Sequence, residues 1–106
     1  MERHEWDEAI SAKIYTGSEV DLKDGFIHFS TKSQVEETVS KHFRGKKNLV
    51  LIKFHDSDMG DRLKWEPSRG GEMFPHLYSD LDPSLHITLY ELTDTEDGGH
   101  LFPDEF

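Results

Sequence analysis

Apolar residues recur every three to four positions at the start of the chain, and this spacing predicts a short helix over residues 5–14. We expect its buried face to consist of four residues: Trp6, Ala9, Ile10 and Ile14. The turn-forming residues 16–18, Thr-Gly-Ser, end this helix. Residues 19–24 are polar apart from two isolated apolar positions, so we expect a loop there.

Residues 24–31, Asp-Gly-Phe-Ile-His-Phe-Ser-Thr, combine a turn, a short strand and a helix start. Asp-Gly is a turn dipeptide, and residues 26–29 are aromatic and β-branched, as is typical of strands. Because side chains alternate across a strand, His28 shares one face with Phe26 and Ser30. A polar pair at the end of a strand, directly before a helix, is a candidate binding position.

A second helix is predicted after this strand. Thr31 and Gln34 have the spacing of a capping box, in which each side chain bonds the other residue's backbone N–H. Val35 and Val39 lie four apart on the expected buried face, and Gly45 follows as a typical helix end.

The remaining apolar patterns predict strands. Residues 49–54 are almost continuously apolar, which indicates a strand buried on both faces at the centre of a sheet. Residues 62–65 and 85–90 alternate apolar and polar positions. Residues 73–78 contain Pro75, which has no N–H for a ladder, so this segment is predicted as at best an edge strand or a strand that enters a sheet. We therefore expect an α+β domain whose small, mainly antiparallel sheet is split by a cleft, with two helices outside.

Length and composition narrow the choice of domain and partner. The chain has 106 residues, which suits one domain over residues 1–92 followed by an acidic tail over residues 93–106. The absence of cysteine excludes disulfides and thiolate metal sites. The net charge of −10 disfavours nucleic acids and anionic membranes, and no segment has the apolar length of a signal peptide, so we predict a cytoplasmic protein.

Candidate chemistry gathers at His28 with Ser30 and in residues 65–78. For His28, a structural hydrogen bond in the sheet is the alternative to a site role. A serine hydrolase is disfavoured because no serine lies in a Gly-x-Ser-x-Gly elbow, and the histidine spacing is not that of a metal site. Arg69 is equally suited to binding a phosphate and to an ion pair with Glu66 or Glu72.

Two motifs carry a resemblance to a known family. They are residues 24–30 (Asp-Gly-Phe-Ile-His-Phe-Ser) and residues 65–78 (Trp-Glu-Pro-Ser-Arg-Gly-Gly-Glu-Met-Phe-Pro-His-Leu-Tyr). Together with the strand at 49–54 they resemble a small bacterial family of uncharacterised domains. That family in turn is similar to the ADP-ribosyltransferase-like superfamily, in which a glycine leads into a strand whose central Tyr or His faces nicotinamide or ribose.

The resemblance implies a nucleotide ligand, NAD or an ADP-ribose derivative, with glycosyl or ADP-ribosyl transfer as its enzymatic form. It implies that His28 stacks on or hydrogen-bonds the nucleotide, and that Glu72 or Glu66 faces a developing ribosyl cation. The other predicted ligand-binding residues are Ser30, Trp65, Arg69, His76 and Tyr78. No metal is expected. The alternative is a non-catalytic domain that binds a peptide or another protein.

Overall fold

The computed structural model describes the backbone of all 106 residues and every side chain except that of Arg69. It is a small α+β domain with antiparallel sheets, as predicted, but it has three α-helices where two were expected. The helices are α1 (Arg3–Ala12), α2 (Glu19–Asp24) and α3 (Val35–His42). The strands are β1 (Ile27–His28), β2 (Val50–Lys53), β3 (Leu63–Pro67), β4 (Met73–Leu77), β5 (Thr88–Glu91), β6 (Thr93–Asp94) and β7 (His100–Leu101).

The largest sheet has the strand order β1-β4-β3, and both pairings are antiparallel. β3 and β4 form a hairpin that places Trp65 opposite Pro75, and β1 joins with Ile27 opposite Leu77. Gly70 and Gly71 have φ angles of 63° and 82° in the loop of this hairpin. These positive φ values favour glycine, which explains the Gly-Gly step in the motif.

β4 is the central strand, so the prediction that Pro75 confines it to an edge is wrong. The N–H of Tyr78 donates to the carbonyl of Arg62, 2.9 Å away, so alternate β4 residues exchange bonds with β3. By this alternation Pro75 faces β1, where its carbonyl accepts the N–H of Phe29 at 3.0 Å. Proline offers no reciprocal N–H, and the β1 ladder ends there.

β2 and β5 form a separate two-stranded antiparallel sheet in which Leu51 lies opposite Tyr90. On the other edge of β2, residues 1–3 bridge residues 48–50, and the N–H of Val50 donates to the carbonyl of Met1 at 2.9 Å. The prediction of a central strand over residues 49–54 therefore holds for the start of the strand and is wrong for the rest, where β5 is the partner. Val50 is buried in the core, whereas Leu51 and Ile52 are half-buried. The continuous apolar run arises because β2 contributes to the core and also borders the cleft described below.

The acidic tail contains a third sheet, the β6–β7 hairpin. Its loop is hydrogen-bonded to the residues that follow α3. Arg44 Nη2 donates to the carbonyl of Asp97 at 2.7 Å, and the N–H of Gly45 donates to the carbonyl of Gly98 at 2.8 Å. Phe102 packs against the core directly after β7. The predicted domain boundary at residue 92 stays a prediction.

The buried face of α1 is narrower than the spacing of its apolar residues predicted. Trp6 and Ala9 are each 3% exposed, but Ile10 and Ile14 are 44% and 42% exposed, which corrects the expected buried face. The helix ends at Ala12, and Lys13 adopts a left-handed conformation with φ of 62°. Ile14 therefore lies beyond the helix, where the four-residue spacing no longer places it on the buried side.

α2 occupies the segment that was predicted as a loop. Ser18 and Asp21 form a reciprocal capping box, and Gly25 ends the helix with φ of 90°. Val20 and Leu22 are 60% and 65% exposed, and Asp21 is the buried residue of the helix. A helix that buries a carboxylate has no apolar periodicity, so the pattern could not reveal it.

α3 begins later than the predicted Thr31 cap. The Gln34 side chain accepts the N–H of Thr31 at 3.0 Å, which is one half of the expected box. The Thr31 hydroxyl instead lies 3.1 Å from that of Ser33, so the residues before Val35 form a turn. The helix ends at His42.

The core consists of two apolar clusters. Their fully buried residues are Ile27, Leu77 and Leu81 in the first, and Val39, Leu49 and Leu92 in the second. Half-buried residues from both clusters face a shared cleft. Among the described residues, no helix is long and apolar enough to span a bilayer.

Candidate functional site

Strand alternation divides the predicted site residues between the two faces of the β1-β4-β3 sheet. One face, here called the polar face, bears His28, Glu66, His76 and Tyr78, with Phe26 over them. The other face borders the cleft, which is lined by Trp65 and, just beyond β1, by Ser30, but not by His28. The predictions that Ser30 shares a face with His28 and that His28 lines the cleft are therefore wrong, because β1 ends at His28 and the strand alternation does not continue to Ser30. Glu72 is exposed at the hairpin loop, on neither surface. The side chain of Arg69, predicted for phosphate, lies outside the described part of the chain.

Asp21 anchors one end of the polar face. Its Oδ1 lies 2.6 Å from His28 Nδ1 and accepts the backbone N–H of His28 at 3.2 Å, while Oδ2 accepts the N–H of Ser18 at 2.9 Å. His28 Nε2 lies 3.0 Å from Asp24 Oδ2. Asp21 is 7% exposed, so α2 buries a carboxylate that sets the ring orientation of His28.

Tyr15 lies against the same carboxylate. Burial, together with the charge of Asp21 and a hydrogen bond to it, raises the pKa of the Tyr15 phenol well above its ordinary value. Tyr15 therefore stays protonated at neutral pH and supplies a further donor to Asp21.

Glu66 anchors the other end of the polar face. Its Oε1 accepts the hydroxyl of Tyr78 at 2.6 Å and Nδ1 of His76 at 2.9 Å. Phe26 covers this pair, since its ring stacks on that of His76 with centroids 4.1 Å apart. The rings of His28 and His76 are 5.5 Å apart, so the sheet brings the two predicted histidines together.

The hydrogen bond between Tyr78 and Glu66 shifts the pKa values of the two side chains in opposite directions. The hydroxyl of Tyr78, followed by His76, holds the pKa of Glu66 below its ordinary value of 4.5. The pKa of the Tyr78 hydroxyl is raised because this hydroxyl donates its hydrogen bond to Glu66. Because the pKa of Glu66 is lowered in the folded state, the hydrogen bonds of its carboxylate stabilise the protein fully above pH 4.5. This stabilisation is lost as the pH falls through the lowered pKa of the folded state.

Replacing Tyr78 with phenylalanine is expected to raise the pKa of Glu66 towards its ordinary value, because the largest cause of the lowering is removed. The measurement is an NMR pH titration of the Glu66 carboxyl carbon. Tyr90→Phe is the matched control, since Tyr90 lies on the other sheet, and it should leave the Glu66 titration unchanged. A Glu66 titration that Tyr78→Phe does not move would contradict the described contact.

The cleft lies between the two larger sheets and has a volume of about 330 Å³. Its walls come from the end of β1, from β2, from β3 and from the 3₁₀ turn at Asp56–Asp58. Most of the lining is apolar, and five aromatic residues contribute to it: Phe29, Phe54, Trp65, Tyr90 and Phe106. Phe29 and Phe54 meet edge to face with centroids 5.9 Å apart, whereas Trp65 is 43% exposed. The cleft therefore offers rings for stacking.

Two lysines give the cleft a local positive charge. Lys32 and Lys53 both lie on its lining, and neither has a carboxylate within salt-bridge distance among the described side chains. His55 and Asp56 also lie on this lining, so it carries one acidic group beside the lysines. Sequence reasoning missed both lysines, because isolated lysines in a chain of net charge −10 give no local signal.

Metal binding has no support in this arrangement of side chains. In the described part of the chain, no group of three or more His, Asp or Glu residues is placed to hold a metal ion. The histidines of the polar face instead contact carboxylates, His28 those of Asp21 and Asp24 and His76 that of Glu66.

Comparison with known families identifies the chain. The model of the family described as "Protein of unknown function (DUF952)" matches residues 1–87. The chain belongs to the DUF952 family. This supports the predicted membership in a family of uncharacterised domains. The matched residues span both sequence motifs, residues 24–30 and residues 65–78. A search of curated proteins finds no match to the chain.

Solved structures of protein CC0527 from Caulobacter crescentus are similar to this DUF952 chain. A crystal structure has a TM-score of 0.91 and 46% identity, covering 95% of this chain and 89% of that chain. The solution NMR structure has a TM-score of 0.81 and 47% identity, covering 92% and 84%. These descriptions name no activity, so nucleotide binding and the relation to ADP-ribosyltransferases are taken up as proposals.

Proposed function

We propose that the cleft binds a nucleotide such as NAD or an ADP-ribose derivative. The observation that carries this proposal is the combination of exposed aromatic surface with two lysines that have no carboxylate partner, around one cavity of about 330 Å³. A nucleotide presents the complementary pair of groups, a flat ring and phosphates.

The ring of the ligand is expected to stack on Trp65. The 43% exposure of this side chain leaves part of its indole open to the cleft. Stacking of a base on an aromatic side chain contributes about 1–3 kcal/mol and tolerates different bases. The proposal therefore does not depend on which base the nucleotide carries.

The phosphates are expected to lie between Lys32 and Lys53. Lysine binds phosphate as a point charge, and the ion pair is strengthened where apolar walls reduce access of water. Since the average field of a chain with net charge −10 repels anions, local cations are required for such a ligand. Ser30 lies on the same wall, with its hydroxyl 3.0 Å from that of Thr38, and adds a polar group near the helix start.

The volume of the cleft favours one half of a dinucleotide. Ligand pockets commonly range from about 300 to 1,000 Å³, and this cleft is at the lower end of that range. A mononucleotide moiety fits such a space, and the second half of NAD would extend out of the cleft. AMP is consequently the simplest probe.

Glycosyl or ADP-ribosyl transfer is the enzymatic extension of the proposal. Transfer needs a carboxylate beside the ribose to stabilise its cationic transition state. The predicted residues Glu66, Glu72 and His28 all lie outside the cleft lining, and Asp56 is the carboxylate on it, so Asp56 is the candidate for transfer in the cleft. Release of nicotinamide from NAD is the signature of this chemistry.

The test is titration of the protein with AMP, NAD, ADP-ribose and nicotinamide, followed by amide NMR shifts. We expect shifts at Ser30, Lys53 and Trp65. Replacing Lys32 or Lys53 with alanine should weaken AMP binding about tenfold, because each removes a charged contact to phosphate. Lys47→Ala, an exposed lysine away from the cleft, is the matched control and should bind AMP as the unmodified protein does.

Three outcomes decide between the functions. Absence of shifts at millimolar AMP, NAD and ADP-ribose would overturn nucleotide binding. Shifts with an acidic aromatic peptide, but with no nucleotide, would favour the alternative of a peptide-binding domain. Nicotinamide release that is lost in Asp56→Asn and kept in Glu66→Gln and Glu72→Gln would show transfer in the cleft, whereas loss in either glutamate variant would contradict a reaction at the cleft.

A further inference from the structure

The segment after β7 returns to the mouth of the cleft. Phe102 packs against the second core cluster, and the ring of Phe106 lies 5.7 Å from that of Phe102. Phe106 also lines the cleft itself. A segment outside the residues matched by the family model, 1–87, thus contributes a wall of the proposed ligand site.

Phe106 contacts one of the two lysines assigned to phosphate. Lys32 Nζ lies 5.6 Å from the centroid of the Phe106 ring, which is within the range of a cation–π contact. Asp104 and Glu36 border the same shallow depression beside Lys32. The Phe106 ring and these carboxylates therefore lie beside Lys32, where the proposed ligand places its phosphates.

The attachment of this segment differs from that of the hairpin before it. The β6–β7 hairpin is held by hydrogen bonds, among them His100 Nε2 to the carbonyl of Lys46 at 2.7 Å. Residues 104–106 make no backbone hydrogen bond and no ion pair among the described groups. The contacts of the Phe106 ring with Phe102 and Lys32 hold them, so we expect these residues to leave the cleft more easily than the hydrogen-bonded hairpin opens.

We infer that residues 104–106 are an internal competitor for the cleft, with Phe106 and Asp104 occupying the surface that an anionic aromatic ligand needs. The inference rests on the proposed function of the cleft. With a docked segment of this kind, the apparent Kd equals the intrinsic Kd divided by the fraction of molecules in which the cleft is free. If the segment is docked in about nine molecules of ten, the apparent Kd for AMP rises about tenfold.

The first experiment is independent of any ligand. In the unmodified protein, NMR should show contacts between the Phe106 ring and the Lys32 side chain, with ring-current shifts of the Lys32 methylene protons. Phe106→Ala should remove these shifts. Leu101→Ala is the matched control, because Leu101 is an exposed apolar residue of β7 outside the cleft lining, and it should preserve them. Absence of the contact in the unmodified protein would overturn the competitor alone.

The second experiment measures AMP affinity. Phe106→Ala is expected to bind AMP about tenfold more tightly and Leu101→Ala to match the unmodified protein. Asp104→Asn, a surface change that keeps the ring, should give a smaller gain because it removes one negative charge near Lys32. Equal affinity in the unmodified protein and Phe106→Ala would overturn competition and leave the proposed function intact. Failure of every variant to bind AMP, with the contact present, would overturn the proposed function and the competition with it.

Discussion

Replacing Asp21 with alanine is expected to lower the free energy of unfolding by about 3 kcal/mol. The substitution removes the acceptor of two backbone N–H groups, those of Ser18 and His28, and of His28 Nδ1. Because Asp21 is 7% exposed, water replaces this acceptor poorly. Chemical denaturation followed by circular dichroism measures the loss.

Asp24→Ala is the matched control for this prediction. Asp24 contacts the other nitrogen of the same His28 ring, but its side chain is 43% exposed. Exposed pairs of this kind contribute about 0–1 kcal/mol, so the control should change stability little. Similar losses in both variants would show that burial of the Asp21 carboxylate is not what holds the α2–β1 corner.

Leu77→Ala is expected to destabilise the protein by about 2–5 kcal/mol, the range for large-to-small changes in a close-packed core. Leu77 is 2% exposed and lies in the central strand β4, opposite Ile27 of β1 and Leu63 of β3. Loss of its side chain leaves a cavity next to both neighbouring strands. The measurement is the free energy of unfolding from denaturant titration.

Leu22→Ala is the control for the core substitution, since this leucine is 65% exposed in α2. It should change the free energy of unfolding by less than about 0.5 kcal/mol. A Leu77→Ala loss as small as that of Leu22→Ala would mean that the first core cluster does not stabilise the sheet.

The sequence predicted the elements that have apolar periodicity and missed the one that lacks it. Trp6 and Ala9 locate α1, and the residues from Val35 to Val39 locate α3. α2 was missed because its buried residue is Asp21. The signal that could have found it is the pair Ser18 and Asp21, whose capping-box spacing accepts an aspartate in place of the usual glutamate.

Strand order was harder to predict than strand existence. Pro75 suggested an edge, yet β4 is central because the proline lies at a position that faces the short end of β1. The aliphatic run at residues 49–54 suggested a central strand, yet β2 has a partner on both edges only at its start, where residues 1–3 bridge residues 48–50 on the edge opposite β5. Both errors have one cause, since the partners of a strand come from distant parts of the chain and leave no local pattern.

The sequence by itself determined which residues of a strand share a face. Alternation relates His28 to Phe26 along one strand and His76 to Tyr78 along another, but the antiparallel pairing of His28 with His76 is what brings the two rings within 5.5 Å. Tertiary structure alone decided that Lys32, Lys53 and Trp65 surround one cleft. These residues follow β1, end β2 and lie within β3, so only the packing of one sheet against the other brings them together.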